Sequence, residues 1–249
     1  MGHCLFVSDV HLDAQRPDIT ARFVAFLQAQ ARQASALYIL GDFLEYWVGD
    51  DDHMAHLDAV ITTLQALTAK GMALYFLHGN RDFLVGEGFC RHLGAQLLAA
   101  ETVIDLYGRK ALLLHGDSLC TDDRAHMAFR AQVLASDWQA AFLAQPLAER
   151  HRQAQHIRQH SQQHTRQKGL SMLDVNAAAV AQIMRRFGVD LLIHGHTHRP
   201  AIHTVSLGTH TGQRVVLPDW DTHGGFVYAS AQAIRLNCLG SDAMHRRCG

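Results

Sequence analysis

The run Leu191-Leu192-Ile193-His194-Gly195-His196-Thr197-His198 reads as a short buried strand that ends abruptly in a turn of imidazoles. Alternate residues of an extended segment face the same side, so His196 and His198 are expected to point together. Working outward, four further apolar runs end in the same polar manner. Leu5-Phe6-Val7-Ser8 leads to Asp9-Val10-His11, and Tyr38-Ile39-Leu40 leads to Gly41-Asp42. Tyr75-Phe76-Leu77-His78 leads to Gly79-Asn80-Arg81-Asp82, and Leu112-Leu113-Leu114 leads to His115-Gly116-Asp117. Strands are therefore expected at 4–8, 37–40, 74–77, 111–114 and 191–193. Between them, Ile19, Phe23, Phe26 and Leu27 recur at helical spacing, as do Leu57, Val60, Ile61, Leu64 and Leu67, and later Leu173, Val180, Ile183 and Phe187. Strands alternating with helices predict a layered α/β domain. The tail from 201 to 239 reads as several short strands, some of them antiparallel.

Ligands of open α/β sheets gather outside the carboxyl ends of the strands, so the five endings are expected to converge. Asp9, His11, Asp42, Asn80, His115, His196 and His198 would then supply two carboxylates, one amide oxygen and four imidazoles. Mixed nitrogen and oxygen donors suit Mn2+, Fe2+ or Zn2+ better than Ca2+ or Mg2+, which prefer oxygen. Two such ions about 3.5–4 Å apart would bind a phosphoryl oxygen, lower the pKa of a bridging water and stabilise in-line displacement. Asp42, on the second of the five strands, is the expected bridge. No single motif carries this argument, because DxH, GD and a strand-end His all occur in ordinary turns. Their repetition in order, each just after an apolar run, does.

Composition sets the outer bounds. The 249 residues suit one domain, or one domain with an insertion, and 48% hydrophobic residues suffice for a core. With 22 Lys+Arg against 23 Asp+Glu, the net charge of -1 gives no case for broad nucleic-acid binding. The 19 histidines are the compositional outlier, which by itself proves neither metal binding nor titration. Cys4, Cys90, Cys120, Cys238 and Cys248 are scattered and never spaced CxxC, so no disulfide framework or zinc ribbon is expected, and a reducing cytosol is the simple reading. The opening Met1-Gly2-His3-Cys4 resembles no secretory leader. No apolar stretch approaches the ~18 residues of a spanning helix, so any membrane contact is expected to be peripheral.

Residues 123–169 break the alternation, being helical in composition with one proline and no β-rich run. They are expected to form an inserted helical cap on a core made of 1–122 and 170–240, with 241–249 as a tail. Met127, Leu134, Trp138 and Phe142 are placed on one helical face, with Phe129 and Val133 on another. Beyond them come Arg150, Arg152, Arg158, Arg166 and Lys168 against Glu149, a face expected to be solvated. The greasy stripe could be ordinary core or the wall of an acyl-chain chamber.

The ordered set DxH, GD, GN, H and GHxH resembles the calcineurin-like metallophosphoesterase superfamily. More narrowly, the stretches 38–42, 49–52, 78–83, 115–117, 119–123, 172–176 and 193–200 are similar to the UDP-2,3-diacylglucosamine pyrophosphatases of lipid A biosynthesis. The likeness runs from about residue 4 to about residue 230. It implies a β-sandwich flanked by helices, with an inserted helical cap, and two Mn2+ per chain. The implied reaction is hydrolysis of the diphosphate of UDP-2,3-diacylglucosamine to UMP and 2,3-diacylglucosamine 1-phosphate, with water attacking the phosphorus next to uridine. Carried over by position, one metal would be held by Asp9, His11, Asp42 and His198, and the other by Asp42, Asn80, His115 and His196. Substrate contacts would come from Asn80, Arg81, Asp123, Ser161, Thr165, Lys168 and His196, with Asn80, Arg81 and His196 also catalytic. The likeness further implies a peripheral position on the cytoplasmic face of the inner membrane; no protein partner is expected.

Arg81 stands where many superfamily members carry a His that acts as an acid, so charge neutralisation of the diphosphate is its expected role. Ser161, Thr165 and Lys168 follow i, i+4, i+7 spacing and would share one helical face. The segment Leu217-Pro218-Asp219-Trp220-Asp221 and the terminal 241–249 look lineage-specific and include none of the expected metal ligands. Two rival readings remain at this point: a phosphoesterase of another substrate, such as a cyclic nucleotide or a phosphoprotein, and a non-catalytic scaffold. An inserted cap disfavours an open phosphoprotein site, and a degraded scaffold would lack some of the ligands.

Overall fold

The apolar runs become the strands of two sheets, and their alternation decides which layer each side chain joins. The structure, a computed structural model, describes residues 2–166 and 174–240, with 160–166 by backbone alone. In the first sheet β1 (Cys4–Val7), β2 (Ala36–Leu40), β3 (Ala73–Leu77) and β4 (Ala95–Leu97) run parallel. Two antiparallel strands, β10 (Gly225–Ala229) and β11 (Ile234–Cys238), extend it on the other side of β1, giving the order β11-β10-β1-β2-β3-β4. The second sheet takes β5 (Thr102–Leu106), β6 (Arg109–Leu113), β7 (Leu191–His194), β8 (Ala201–Ser206) and β9 (Thr211–Val216) in the order β5-β6-β7-β9-β8.

Phe6 of β1 faces inward, in one cluster with Leu113, Ile193 and Val215 of the second sheet. Its neighbours Leu5 and Val7 face outward, against Phe23, Phe26 and Leu27. Those three belong to α1 (Pro17–Ala29), which starts with Pro at its first turn and carries Asp18 there, both favourable at a helix N-terminus. Each fully buried Phe or Leu contributes roughly 1.5–3 kcal/mol by leaving water. α2 (Asp58–Thr68) and α3 (Glu87–Leu93) contribute Val60, Leu64, Phe89 and Leu93 to the same outer layer. On the far side, Leu112 and Leu192 meet Val180, Ile183 and Met184 of α7 (Ala177–Phe187). α7 is capped by Asn176, whose side chain accepts from the amides of Ala178 and Ala179, and it stops at Gly188 in the left-handed region. The result is helix, sheet, sheet, helix. Strands covered on both faces read as unbroken apolar runs, which explains why β1, β2 and β7 announced themselves.

Several elements were less audible. The strand β5, the short β4 and α3 lack long apolar runs, and β4 has no fully buried residue. The tail supplies two hairpins, but they split, β8–β9 joining the second sheet and β10–β11 the first. Between the 3-10 turn 117–119 and α7, three helices stand among the described residues: α4 (Arg124–Val133), α5 (Ser136–Leu143) and α6 (Leu147–Arg166). The expected single face of Met127, Leu134, Trp138 and Phe142 is corrected here. The chain breaks at Ala135, which is extended (φ -67, ψ 131), so Met127 and Leu134 belong to α4 and its end while Trp138 and Phe142 share α5. Phe142 is thereby buried at 4% exposure, while Leu134 stays 40% exposed. Leu173, of the stripe expected before β7, lies outside the described residues. Cys4, Cys90 and Cys120 are free, whereas Cys238 is disulfide-bonded, against the expectation of an unbridged set.

Candidate metal centre

The five strand endings do meet. Beyond the strands, the turns continue to pair: the amides of Asp9, His11 and Leu12 donate to the carbonyls of Gly41, Asp42 and Phe43, and that of Gly195 donates to His115. Within these turns Asp9, His11, Asp42, His196 and His198 adopt φ values of 53, 51, 50, 69 and 54. Tyr107 is the only other described non-glycine residue in the left-handed region. Such a backbone is disfavoured for L residues, though Asp and His tolerate it better than most, and it concentrates where function over-determines the chain. Here it swings carboxylates and imidazoles out of the strand alternation and across the sheet edge.

Two donor clusters result. Asp9, His11 and His198 form one, and Asp42, His115 and His196 the other, each with ligand atoms within 4.8 Å of one another. Asp42 Oδ2 lies 3.9 Å from His11 Nε2 and 3.5 Å from His115 Nε2, so one oxygen sits between the clusters. Asn80 Oδ1 lies 3.1 Å from His115 Nε2 and joins the second. His198 Nε2 is 3.4 Å from Asp9 Oδ1. Asp9 Oδ1 and His11 Nε2 are buried and have no hydrogen-bond partner. Orphaned buried donors and acceptors are costly, and a divalent cation among them would remove that cost. The residues therefore fit a pair of transition-metal ions.

The groups behind the ligands are held in turn. Asp9 Oδ2 accepts from Ser8 Oγ at 2.5 Å and from the His196 amide at 2.9 Å. His115 Nδ1 lies 2.9 Å from the Leu40 carbonyl, a hydrogen bond that fixes its ring, and His11 Nδ1 lies 2.7 Å from Glu45 Oε2, a close charge contact outside hydrogen-bond geometry. Asp82 accepts from the amides of Gly79 (2.8 Å) and Phe43 (2.8 Å) and so pins the β2 and β3 turns together. The Arg81 amide donates to Asp42 Oδ1 at 2.8 Å, leaving Oδ2 for the clusters. Gly79 is required by proximity, since a Cβ there would collide with Asp42 Oδ1.

Electrostatics follow from crowding. Burial alone would raise the Asp9 carboxyl, but His198 and then His115 hold it well below the usual carboxylate range. Burial likewise opposes ionisation of Asp42, and His115, His11 and Arg81 overcome it. Burial and the neighbouring His115 push His196 down to about 4, whereas His198, despite burial, is raised to about 9 by Asp9. Buried carboxylates that stay charged, facing imidazoles, describe a site arranged around positive charge.

From Asn80, Arg81 and His115 a pocket runs under α4–α6, where Phe129, Val133, Trp138, Phe142 and Ile157 line it. Trp138 stacks on Phe142 with ring centroids 5.1 Å apart. The expected solvated basic face holds for Arg152 and is corrected for Arg150 and Arg158. Arg150 is only 3% exposed and pairs with Asp51, while Arg158 pairs with Asp13 and Glu45, and Arg152 with Glu149. Arg150 and Arg158 tie α6 to acidic residues of the core, whereas Arg152 stays exposed and pairs within the helix.

All seven expected metal ligands thus come together, with Arg81 beside them. Asp123 is buried and accepts from the His126 amide as the N-cap of α4. Ser161 and Thr165 fall in the backbone of α6, and Lys168 lies outside the described residues, so their side-chain roles are not placed. The segment 217–221, which supplies none of the expected ligands, does approach them. The Trp220 amide donates to the Asp9 carbonyl at 3.1 Å, and its indole packs edge-on to Phe23 and Phe26 in the core. Sequence reasoning gave no role to Ser8, Glu45, Asp82 or His126. The first three sit within three residues of a ligand, a proximity that could have flagged them. His126, whose ring lies 5.5 Å from that of His196, is brought in by α4 from an otherwise helical stretch with no such signal.

Comparison with known proteins agrees with this geometry. The model of the calcineurin-like phosphoesterase family matches residues 2–200. The UDP-2,3-diacylglucosamine hydrolases of Cellvibrio japonicus and Serratia proteamaculans are each 50% identical over 232 residues, covering 93% of this chain and 97% of theirs. Among solved structures, vacuolar protein sorting 29 from Cryptosporidium parvum aligns with a TM-score of 0.51 at 12% identity, covering 98% of this chain and 94% of its own, a likeness of fold alone. With its clustered ligands, its sandwich and these relatives, the chain belongs to the calcineurin-like phosphoesterase family, in the branch of the UDP-2,3-diacylglucosamine hydrolases.

Proposed function

We propose that this protein is a Mn2+-dependent hydrolase that cleaves the diphosphate of UDP-2,3-diacylglucosamine to UMP and 2,3-diacylglucosamine 1-phosphate. The observation that carries the reading is continuity: two donor clusters flanking Asp42 Oδ2 open into one pocket whose far wall is apolar and helical. A diphosphate joined to two acyl chains has that same order of chemistry. Asp9, His11, Asp42 and His198 would hold one ion, and Asp42, Asn80, His115 and His196 the other. When bound, the pair would supply Lewis acidity to the phosphoryl group and an activated water.

The chain's own residues do the rest. Arg81 orients Asp42 through its backbone amide and offers its guanidinium to the diphosphate from the same position. Asn80, ligand and pocket wall at once, places the scissile group against the clusters. His196, which burial keeps neutral, is suited to ligate and to contact the phosphoryl oxygens. Phe129, Trp138 and Ile157 exclude water from the acyl side. The contacts proposed for Asp123, Ser161, Thr165 and Lys168 come from the insertion, residues 123–169, and rest on the family likeness. No helix among the described residues is long and apolar enough to cross a membrane. A peripheral position on the cytoplasmic face of the inner membrane is proposed from the lipid nature of the substrate. Docking through a basic α6 loses support, because Arg150 and Arg158 are already paired.

The test is hydrolysis in 18O-labelled water with purified, Mn2+-loaded protein. UMP should be released, carrying the heavy oxygen if the uridine-side phosphorus is attacked. Folded, metal-loaded protein that releases no UMP rejects the reading; label found in the lipid phosphate instead corrects the site of attack.

A further inference from the structure

Glu45 connects two parts of the molecule that the reaction itself does not require to touch. One oxygen, Oε2, lies 2.7 Å from His11 Nδ1. The other, Oε1, accepts from Arg158 Nε at 2.8 Å, and the same guanidinium reaches Asp13 Oδ2 at 2.9 Å. Glu45 and Asp13 are both buried, at 8% and 7% exposure, and they enter from neighbouring turns, where the Glu45 amide donates to the Leu12 carbonyl. Two buried carboxylates so close together need a cation between them, and among the described residues it arrives from α6 in the insertion, not from the core. Remove that cation and Glu45 is left beside an unneutralised Asp13, free to turn its carboxylate away from the imidazole.

We propose that Arg158 and Glu45 form a positioning pair for His11, so that seating of α6 on the core sets the cation affinity of the Asp9/His11/His198 cluster. This rests on the metal reading above. Carboxylates that orient a ligating imidazole through its second nitrogen typically influence metal affinity by about 10–100-fold. Arg158 acts one step further out, so its effect passes through Glu45. The insertion is then more than a lid over the acyl chains: one of its ties to the core is read at the ion.

The probe is Mn2+ alone, titrated into metal-free full-length protein and followed by the electron paramagnetic resonance of the free ion. Wild type is compared with Glu45→Gln, Arg158→Gln, the double variant, Arg158→Lys and Arg150→Gln. Arg150 ties α6 to Val48 and Asp51 with no contact to a ligand, and so controls for general loosening of the insertion. Glu45→Gln is expected to weaken one of two Mn2+ sites by about 10–100-fold and Arg158→Gln the same site by about tenfold. The double variant should match Glu45→Gln within about threefold, the non-additivity expected of residues in one chain of contacts. Arg158→Lys should recover part of the loss, and Arg150→Gln should stay within about twofold of wild type. Arg158→Gln binding both ions like wild type, an additive double variant, or an equal loss in Arg150→Gln would overturn the proposal. Wild type that binds no Mn2+ overturns the metal reading and this inference together, which separates the two failures.

Discussion

The turns after β1, β2, β3, β6 and β7 hold their side chains by backbone, whereas α4–α6 are held to the core largely by side chains. At the sheet edge, amide-to-carbonyl bonds join consecutive turns, Asp82 staples two of them, and glycine at 79 lets Asp42 close in. Around α6 the ties are Arg150 to Asp51, His151 to Asp52, and Arg158 to Asp13 and Glu45. The first arrangement is set by strand pairing and tolerates little change. The second consists of ion pairs on separate side chains, each worth little when exposed and costly to break from one side when buried. A rigid edge suits ions that must be held at fixed separation, and a tied insertion suits a long, variable lipid.

That contrast is sharpest in three substitutions. Asp42→Ala removes the shared oxygen, and UMP release should fall by at least about a thousandfold with loss of bound Mn2+ measured by atomic absorption. Activity near wild type would mean that the edge does not work as a bridged pair. Phe129→Ala, in the pocket wall under α4, should raise KM for the diacylated substrate by about tenfold, the value of one lost aromatic contact. A deacylated analogue should be turned over by this variant as by wild type; an equal loss on both substrates would place Phe129 in the phosphoryl machinery instead. Arg152→Ala takes away an exposed pair with Glu149 on α6 and should shift stability by less than about 0.5 kcal/mol in urea unfolding, with turnover unchanged.

The two regions were also unequally legible in the sequence. Ligands at the strand ends could be read because an apolar run marks where a strand stops, and the residue after it must lie at the sheet edge. The layered α/β architecture followed from the same runs, since Leu5, Phe6 and Val7 are apolar only because both faces are covered, whereas the β-sandwich was implied by the family resemblance. In the insertion, periodicity alone could not reveal the break at Ala135, where no proline or glycine marks the end of α4. Nor could it say that Arg150 and Arg158 are paired, because their partners Asp51, Asp13 and Glu45 lie about a hundred or more residues away. The closeness of Trp220 to Asp9 was hidden for the same reason: it depends on β10 pairing with β1 across nearly the whole chain. Long-range ion pairs and late-arriving strands have no local signature.

The left-handed turns bear on why these particular amino acids stand where they do. Each of the five costs the folded state on the order of 1 kcal/mol relative to a residue at ease in that conformation. Summed, this is a sizeable fraction of the roughly 5–15 kcal/mol that separates a native domain from its unfolded chain. Folding by itself would prefer glycine or asparagine at these places. Aspartate and histidine occupy them against that preference, so a drift toward easier residues there would yield a sturdier molecule with nothing left to grip a cation.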